Sequence, residues 1–386
     1  MNPSGAKKMR KSTFLLFSLL LAFALLRAEE RPRVRQTGIE LGVFQPGEWN
    51  AITDVNGVRV GHTTLIEGKH IRTGVTAIMP HEGNIFQEKV PAAIYVANGF
   101  GKLTGYTQVD ELGSLETPVV LTNTLSVPTA ADALIDYVLS SEGNEQVRSV
   151  NPVVGETNDS YLNDIRGRHV EKEHVLSAIK NAASGPIKEG CVGAGTGTSC
   201  FGFKGGIGTS SRKLPSSLGG YTVGVLVQTN HGGVLNINGF PAGRALENYA
   251  YHRFVEPKEE GSCMVIVATN APILSRNLKR LAKRALLGIA RTGGFNSNAS
   301  GDYAIAFSTS EKVRIPYRPG TKLETYQVVP DRMMSPLFLA AAEACEEAIL
   351  NAMFKAETMK GREGHVLEAL PVKKVIKMMK NYRFFH

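Results

Sequence analysis

The nine residues from Tyr221 to Thr229 set the tightest limit on the fold. Val223, Val225 and Val227 alternate with small or polar residues, as on a strand with one wet face, yet Leu226 breaks the alternation. A strand that is apolar on both sides has to be covered on both sides. Such cover needs layers above and below a sheet, which points to sheets sandwiched by helices. Other runs rich in Val, Ile and Thr, bounded by Gly, Pro, Asn or Asp, also read as strands: Gly57 to Leu65, Gly74 to Met79, Pro91 to Ala97, Val119 to Leu121, Cys263 to Thr269 and Tyr303 to Ser308. Helical patterns interleave with them at Ala130 to Leu139, Glu171 to Ala183, Ser275 to Thr292 and Ser335 to Phe354. Ser275 and Gly293 are the expected start and stop of one helix, and Ser335-Pro336 opens another. Residues 31–50 read as an irregular arm. The fold class is α/β in one large domain.

Charge placement narrows the partners. The chain of 386 residues is 42% hydrophobic, ample for a large core, and carries a formal net charge of +9. Residues 1–28 hold five bases and no acid, and residues 366–386 hold five bases and one acid. The body between them is close to neutral, so it lacks the basic face that a nucleic-acid binder needs. Lys7 to Lys11 followed by the apolar run Thr13 to Leu26 and by Leu26-Arg27-Ala28 reads as an export signal. That places the mature start at Glu29 and the protein in the periplasm or outside the cell, free of the membrane. An uncleaved anchor is the alternative. The expected organisation is a signal at 1–28, one domain over 29–365 and a basic tail over 366–386. The four cysteines show neither CxxC spacing nor a zinc cluster, and, with three of the four in apolar surroundings, buried free thiols are the reading.

Two stretches invite chemistry. Eight glycines fall between Gly190 and Gly208, but GxGxG without GK[ST] is no phosphate loop. They allow either close approach of backbone amides to a ligand or an oxyanion, or tight turns and close packing. Gln228-Thr229-Asn230-His231-Gly232-Gly233 follows the buried strand, and His231 suggests a general base. No GxSxG accompanies it, so a Ser-His-Asp hydrolase is not supported. His62, His70 and His81 are scattered, and Asp132, Asp136 and Glu142 fit a solvated helix face.

Longer motifs carry a resemblance. They are Asn50-Ala51-Ile52-Thr53-Asp54-Val55, Gly57-Val58-Arg59-Val60-Gly61-His62-Thr63, Ala97-Asn98-Gly99-Phe100-Gly101-Lys102 and Leu121-Thr122-Asn123-Thr124. Val154-Gly155-Glu156-Thr157-Asn158-Asp159, Phe203 to Arg212, Val225 to Asn230 and Ser300-Gly301-Asp302 complete the set. With these the chain resembles, from about Gly38 to Glu357, the DmpA-like family of N-terminal-nucleophile aminopeptidases. The resemblance implies an αββα sandwich of the DmpA/ArgJ-like type and a precursor that cuts itself before a Ser or Thr. It also implies hydrolysis of short peptides, amides or esters with a free amine, no metal or organic cofactor, and a homotetramer. It places the nucleophile three residues after Asn230, at Gly233, which has no hydroxyl, and it places Cys191 where an oxyanion donor is expected. Tyr137 and Asn230 complete the implied catalytic set, with Thr269, Asn270, Ser300 and Asp302 around the substrate. The reading stands open between an active aminopeptidase-like hydrolase and a catalytically silent member that binds amino-terminal peptides or amides.

Overall fold

Alternation and punctuation yield the seven strands that the sequence implies, most of them longer than the apolar runs, and the fold adds two that it does not, Val153–Thr157 and Ile207–Lys213. In chain order they are β1 (Arg59–Glu67), β2 (Ile71–Met79), β3 (Glu88–Gly99), β4 (Val119–Asn123), β5 (Val153–Thr157), β6 (Ile207–Lys213), β7 (Thr222–Asn230), β8 (Gly261–Thr269) and β9 (Ser300–Ser308). The structure, a computed structural model, describes residues 30–252, 261–318, 320 and 323–382. The expected signal at 1–28 lies outside the described residues.

The strands form two main sheets. One has the order β1–β2–β4–β5, antiparallel except for the parallel pair β4/β5. The other is seven-stranded and runs β3–β9–β8–β7–β6, with two short strands added against β3. In it β8 and β9 are parallel and the other central pairs antiparallel. Every residue of β7, β8 and β9 is buried, Leu226 included, as expected of strands covered on both faces.

Three layers of core follow. Ile78, Leu121 and Val153 meet Leu226, Met264, Ile266 and Ile305 between the two sheets. Helices α1 (Val127–Leu139) and α2 (Lys172–Lys180) close the outer face of the four-stranded sheet through Ala130, Leu134, Val175 and Ala178. Helices α3 (Ser275–Ala285), α4 (Leu287–Arg291) and α5 (Met334–Lys355) close the other sheet through Leu278, Leu281, Ile289, Ala344 and Ala348. The architecture is αββα, as the resemblance implies. No described helix is long and apolar enough to cross a membrane.

Three expectations need correction. The helix read from Ser275 to Thr292 is two helices joined at Leu286, and the residue before α3 is Leu274, so Ser275 is not its cap. Helix α5 starts at Met334, so Ser335 lies inside it. The boundary between a domain ending at 365 and a basic tail also fails. Val366–Leu367 pairs with Met359–Lys360, Leu370, Val372 and Val375 enter the helix-side core, and α6 (Val372–Asn381) lies in the compact unit that begins at Arg33. The basic residues sit on the wet side of an amphipathic helix whose apolar side is needed by the core.

The glycine-rich stretch packs between the sheets. A Cβ on Gly193 would lie 2.4 Å from Thr76 Oγ1 of β2, and one on Gly195 would lie 2.3 Å from the Ile207 nitrogen of β6. Only glycine lets this turn meet both sheets at once.

Candidate active site

The first residues of β8 carry the least settled chemistry in the molecule. Ser262 is buried, opposite Asn230 of β7 on one side and Gly301 of β9 on the other. Its Oγ donates to the carbonyl of Gly261 at 2.5 Å and accepts the Gly301 N–H at 3.3 Å. Strand alternation puts Ser262 on the side of Met264 and Ile266, facing the gap between the sheets. Asn230, directly across the ladder, shares that side. Its Oδ1 accepts the Ser199 N–H at 2.9 Å.

Gly261 faces the helix side, among groups with no partners. A Cβ there would lie 3.2 Å from Ser300 Oγ and 3.5 Å from the Cα of His231. Ser300 and Asp302 flank Gly301 and turn to the same side as Gly261 and Cys263. Among the described residues, Ser300 Oγ, both Asp302 carboxylate oxygens and both His231 ring nitrogens are buried without a hydrogen bond. Buried polar atoms are seldom left so. Burial raises the Asp302 carboxyl to about 6, against the opposing pull of the nearby Ser300 hydroxyl and Cys263 amide. Burial alone lowers His231 to about 4, so its ring is neutral at ordinary pH.

A second carboxylate approaches from the other sheet. Glu156, at the end region of β5, accepts the Lys102 N–H at 3.0 Å and the Thr124 hydroxyl. Burial raises its pKa, with Thr124 and Lys102 opposing. A Cβ on Gly101 would lie 3.0 Å from Tyr303 Oη and 3.1 Å from Glu156 Oε1, while one on Gly301 would lie 3.1 Å from Tyr303 Cε2 and 3.2 Å from Ser262 Oγ. Tyr303 thus spans the space from Glu156 to Ser262.

The expected site residues divide accordingly. Asn230, Ser300 and Asp302 come together around Gly261–Ser262. Gly233 does not offer a place for a nucleophile. Its φ is +142°, and any Cβ would lie 2.2 Å from the Gly293 carbonyl oxygen and 3.0 Å from Phe201. A serine there would be strained and would clash, so glycine is what the backbone demands. Cys191 is half-buried, and its sulfur accepts the Glu357 N–H at 3.3 Å, beyond the end of α5. Tyr137 lies on α1, against the outer face of the four-stranded sheet and the Phe86–Val138–Val147 cluster, with its hydroxyl pKa raised by burial. Thr269 and Asn270 lie at the other end of β8, about 23 Å from Ser262 at the usual strand rise. Asn270 lines a separate polar cleft of about 720 Å³ with His81, Thr309 and Arg314.

Sequence reasoning starts this strand at Cys263 and so passes over Ser262 by one residue. The available signal is a Gly-Ser pair heading a fully apolar run. Glu156 and Tyr303 give no such signal, because only the fold brings β5 and β9 together.

The comparisons agree with this fold. The model of peptidase family S58 matches residues 50–367. The beta-peptidyl aminopeptidase BapA of Sphingosinicella microcystinivorans is 39% identical over 396 residues, covering 96% of this chain and 98% of its own. The protein PH0078 of Pyrococcus horikoshii superposes with a TM-score of 0.84 at 50% identity, over 91% of this chain and 99% of its own. The L-aminopeptidase D-Ala-esterase/amidase of Ochrobactrum anthropi, described as a prototype of the serine aminopeptidases and a variant of the Ntn-hydrolase fold, superposes at 0.82 with 37% identity over 90% and 99%. The extent of these matches and the αββα layering together make the chain a member of peptidase family S58.

Proposed function

We propose that this protein is a self-processing serine aminopeptidase whose nucleophile is Ser262, freed by cleavage of the Gly261–Ser262 bond. One observation carries the reading: Ser262 Oγ lies against the carbonyl of the residue before it, while unpartnered buried polar groups flank that same peptide. In the maturation step Oγ attacks the Gly261 carbonyl carbon. The Ser262 nitrogen leaves as an amine, and water then hydrolyses the resulting ester. The products are a Gly261 carboxylate and a free α-amine on Ser262. An α-amine titrates near 8, so it can take the Ser262 hydroxyl proton at neutral pH and return it to the leaving group. Ser300 and Asp302, beside Gly261, are placed to hold the ammonium form of that amine. Asn230 is placed to donate to the oxyanion. Glu156 is the buried carboxylate suited to a substrate's free amine, which favours short peptides, amides or esters with an unblocked N-terminus. A catalytically silent, binding-only member is attractive only while Gly233 holds the nucleophile position, and Ser262 removes that reason.

The reading also includes export under the signal-like residues 1–28 and assembly as a homotetramer. N-terminal sequencing from the native host and sedimentation would check these.

Denaturing electrophoresis with N-terminal sequencing tests the centre of the proposal. The expected result is two fragments, the smaller beginning at Ser262, with hydrolysis of an amino-acyl nitroanilide. Ser262→Ala should give one uncut, inactive chain. An active wild-type chain that stays whole, or a Ser262→Ala chain that still cuts, would overturn the assignment.

A further inference from the structure

Lys204 has no surface and, among the described residues, no carboxylate in hydrogen-bonding contact with its ammonium. Its side chain is fully buried. Its ammonium donates to three backbone carbonyls, of Gly195 at 3.0 Å, Thr198 at 2.9 Å and Gly205 at 2.8 Å. All three of its protons are therefore used. Burial holds its pKa below the ordinary lysine value.

The carbonyls belong to one strand-turn-strand unit. Ser199–Cys200 pairs antiparallel with Phe203–Lys204, and Ser199 is the direct partner of Lys204. The Gly205 N–H donates to Thr198, and the Thr198 hydroxyl to Gly195. The Lys204 backbone nitrogen donates to Glu368, which fastens the unit from the far side. From this clamped turn the Ser199 N–H reaches Asn230 Oδ1 at 2.9 Å, with the Ser199 hydroxyl at 3.4 Å from the same oxygen. With Oδ1 taken, the Asn230 amide has its NH2 group left to present on the Ser262 side of β7. An unclamped turn would let the amide rotate and offer its oxygen instead, which repels a developing oxyanion.

We infer that Lys204 is a positioning residue for the oxyanion donor: its ammonium gathers the Gly195, Thr198 and Gly205 carbonyls so that Ser199 fixes the orientation of the Asn230 amide. The inference rests on the proposed roles of Ser262 and Asn230. It adds that a buried cation two contacts away from the reacting atoms governs transition-state stabilisation and leaves substrate binding alone.

The test is a double-mutant cycle on processed enzyme, with the cut fraction measured on a gel and kcat and KM measured on an amino-acyl nitroanilide. Loss of one oxyanion donor typically costs about 100- to 1000-fold in rate. Asn230→Ala should fall in that range. Lys204→Met should lower kcat about 10- to 100-fold with KM within about twofold, and should add less than about twofold in the Asn230→Ala background. Lys204→Gln, which can still donate two hydrogen bonds, should fall between wild type and Lys204→Met, and it stands in if Lys204→Met does not fold. Additive losses, a change confined to KM, or full activity in Lys204→Met would overturn the inference. Cleavage at Gly261–Ser262 and inactive Ser262→Ala are read in the same series. Their failure would sink the nucleophile assignment itself, whereas additivity with both intact would sink only the role of Lys204.

Discussion

Asp302 is a carboxyl group for which folding makes no provision in the uncut chain. Among the described residues neither oxygen has a hydrogen bond of good geometry, and burial, opposed only in part by the nearby Ser300 hydroxyl and Cys263 amide, raises its pKa to about 6 from an ordinary value of 3.8. The folded chain therefore binds the proton more tightly than the unfolded chain does. Stability falls as pH rises from about 4 to about 6, and the deficit persists above that. Two units correspond to about 3 kcal/mol as an order of magnitude. In the uncut Ser262→Ala chain, Asp302→Asn should therefore gain stability above pH 6, by up to about that amount, and gain little at pH 4. Denaturant midpoints at the two pH values measure the difference, and equal effects at both would show that the carboxyl is not buried as a charge. Ser300-Gly301-Asp302 is legible as a motif in the sequence alone, whereas its neighbour across the ladder is not. Ser262 stands at a strand end, where pattern is weakest, and the backbone constraint that makes Gly233 structural is the contact with Gly293, sixty residues away in sequence.

At the scale of elements, periodicity reads the Val- and Ile-rich strands β7, β8 and β9, since burial on both faces leaves a plain mark in Val, Ile and Leu, but it passes over β5 and β6, whose buried positions are held largely by Gly, Thr and Ser. It fails where one element's meaning depends on another. The C-terminal segment looks like a basic tail because it holds five bases against a single acid. Leu370, Val372 and Val375 nevertheless complete the core beneath α5. A fully buried leucine truncated to alanine costs about 2–5 kcal/mol. Leu370→Ala in the uncut chain should lose stability in that range, while Lys374→Ala on the exposed side should stay within about 0.5 kcal/mol of the parent. Chemical denaturation separates the two readings, because a dispensable tail would leave both substitutions silent. The cost at Leu370 bears on function as well, since Glu368, two residues earlier, holds the backbone of Lys204.

At the scale of the whole molecule, charge does in the interior what apolar packing does elsewhere. The irregular arm after Arg33 has little regular structure of its own, and is tied down by ions. Arg212 of β6, wholly buried, contacts Glu343 at 3.2 Å and Glu347 at 2.8 Å, both on α5, and also donates to the carbonyl of Leu41 in the arm. Arg35 of the arm meets the same Glu347 at 2.8 Å, and the arm's Val43 N–H donates to Glu343 at 2.9 Å. Asn50 closes the set through its amide on Glu347 and its carbonyl oxygen on the Ser211 N–H. One guanidinium thus joins sheet, helix and arm. Such a network is weak grounds for claiming net stability, because the desolvation of each ion opposes the attraction. Breaking it on one side is another matter, since two carboxylates would be left buried with one cation fewer. Arg212→Met in the uncut chain should cost about 3–5 kcal/mol, and Arg212→Met combined with Glu343→Leu should recover part of that loss. Denaturant unfolding, with limited proteolysis of the arm between Arg33 and Asp54, checks both. Recovery in the double variant with the arm newly cut would show that the ions serve to seat the arm. A double variant less stable than Arg212→Met would instead show that Glu343 stabilises the chain through the arm's backbone amides, whatever stands at position 212.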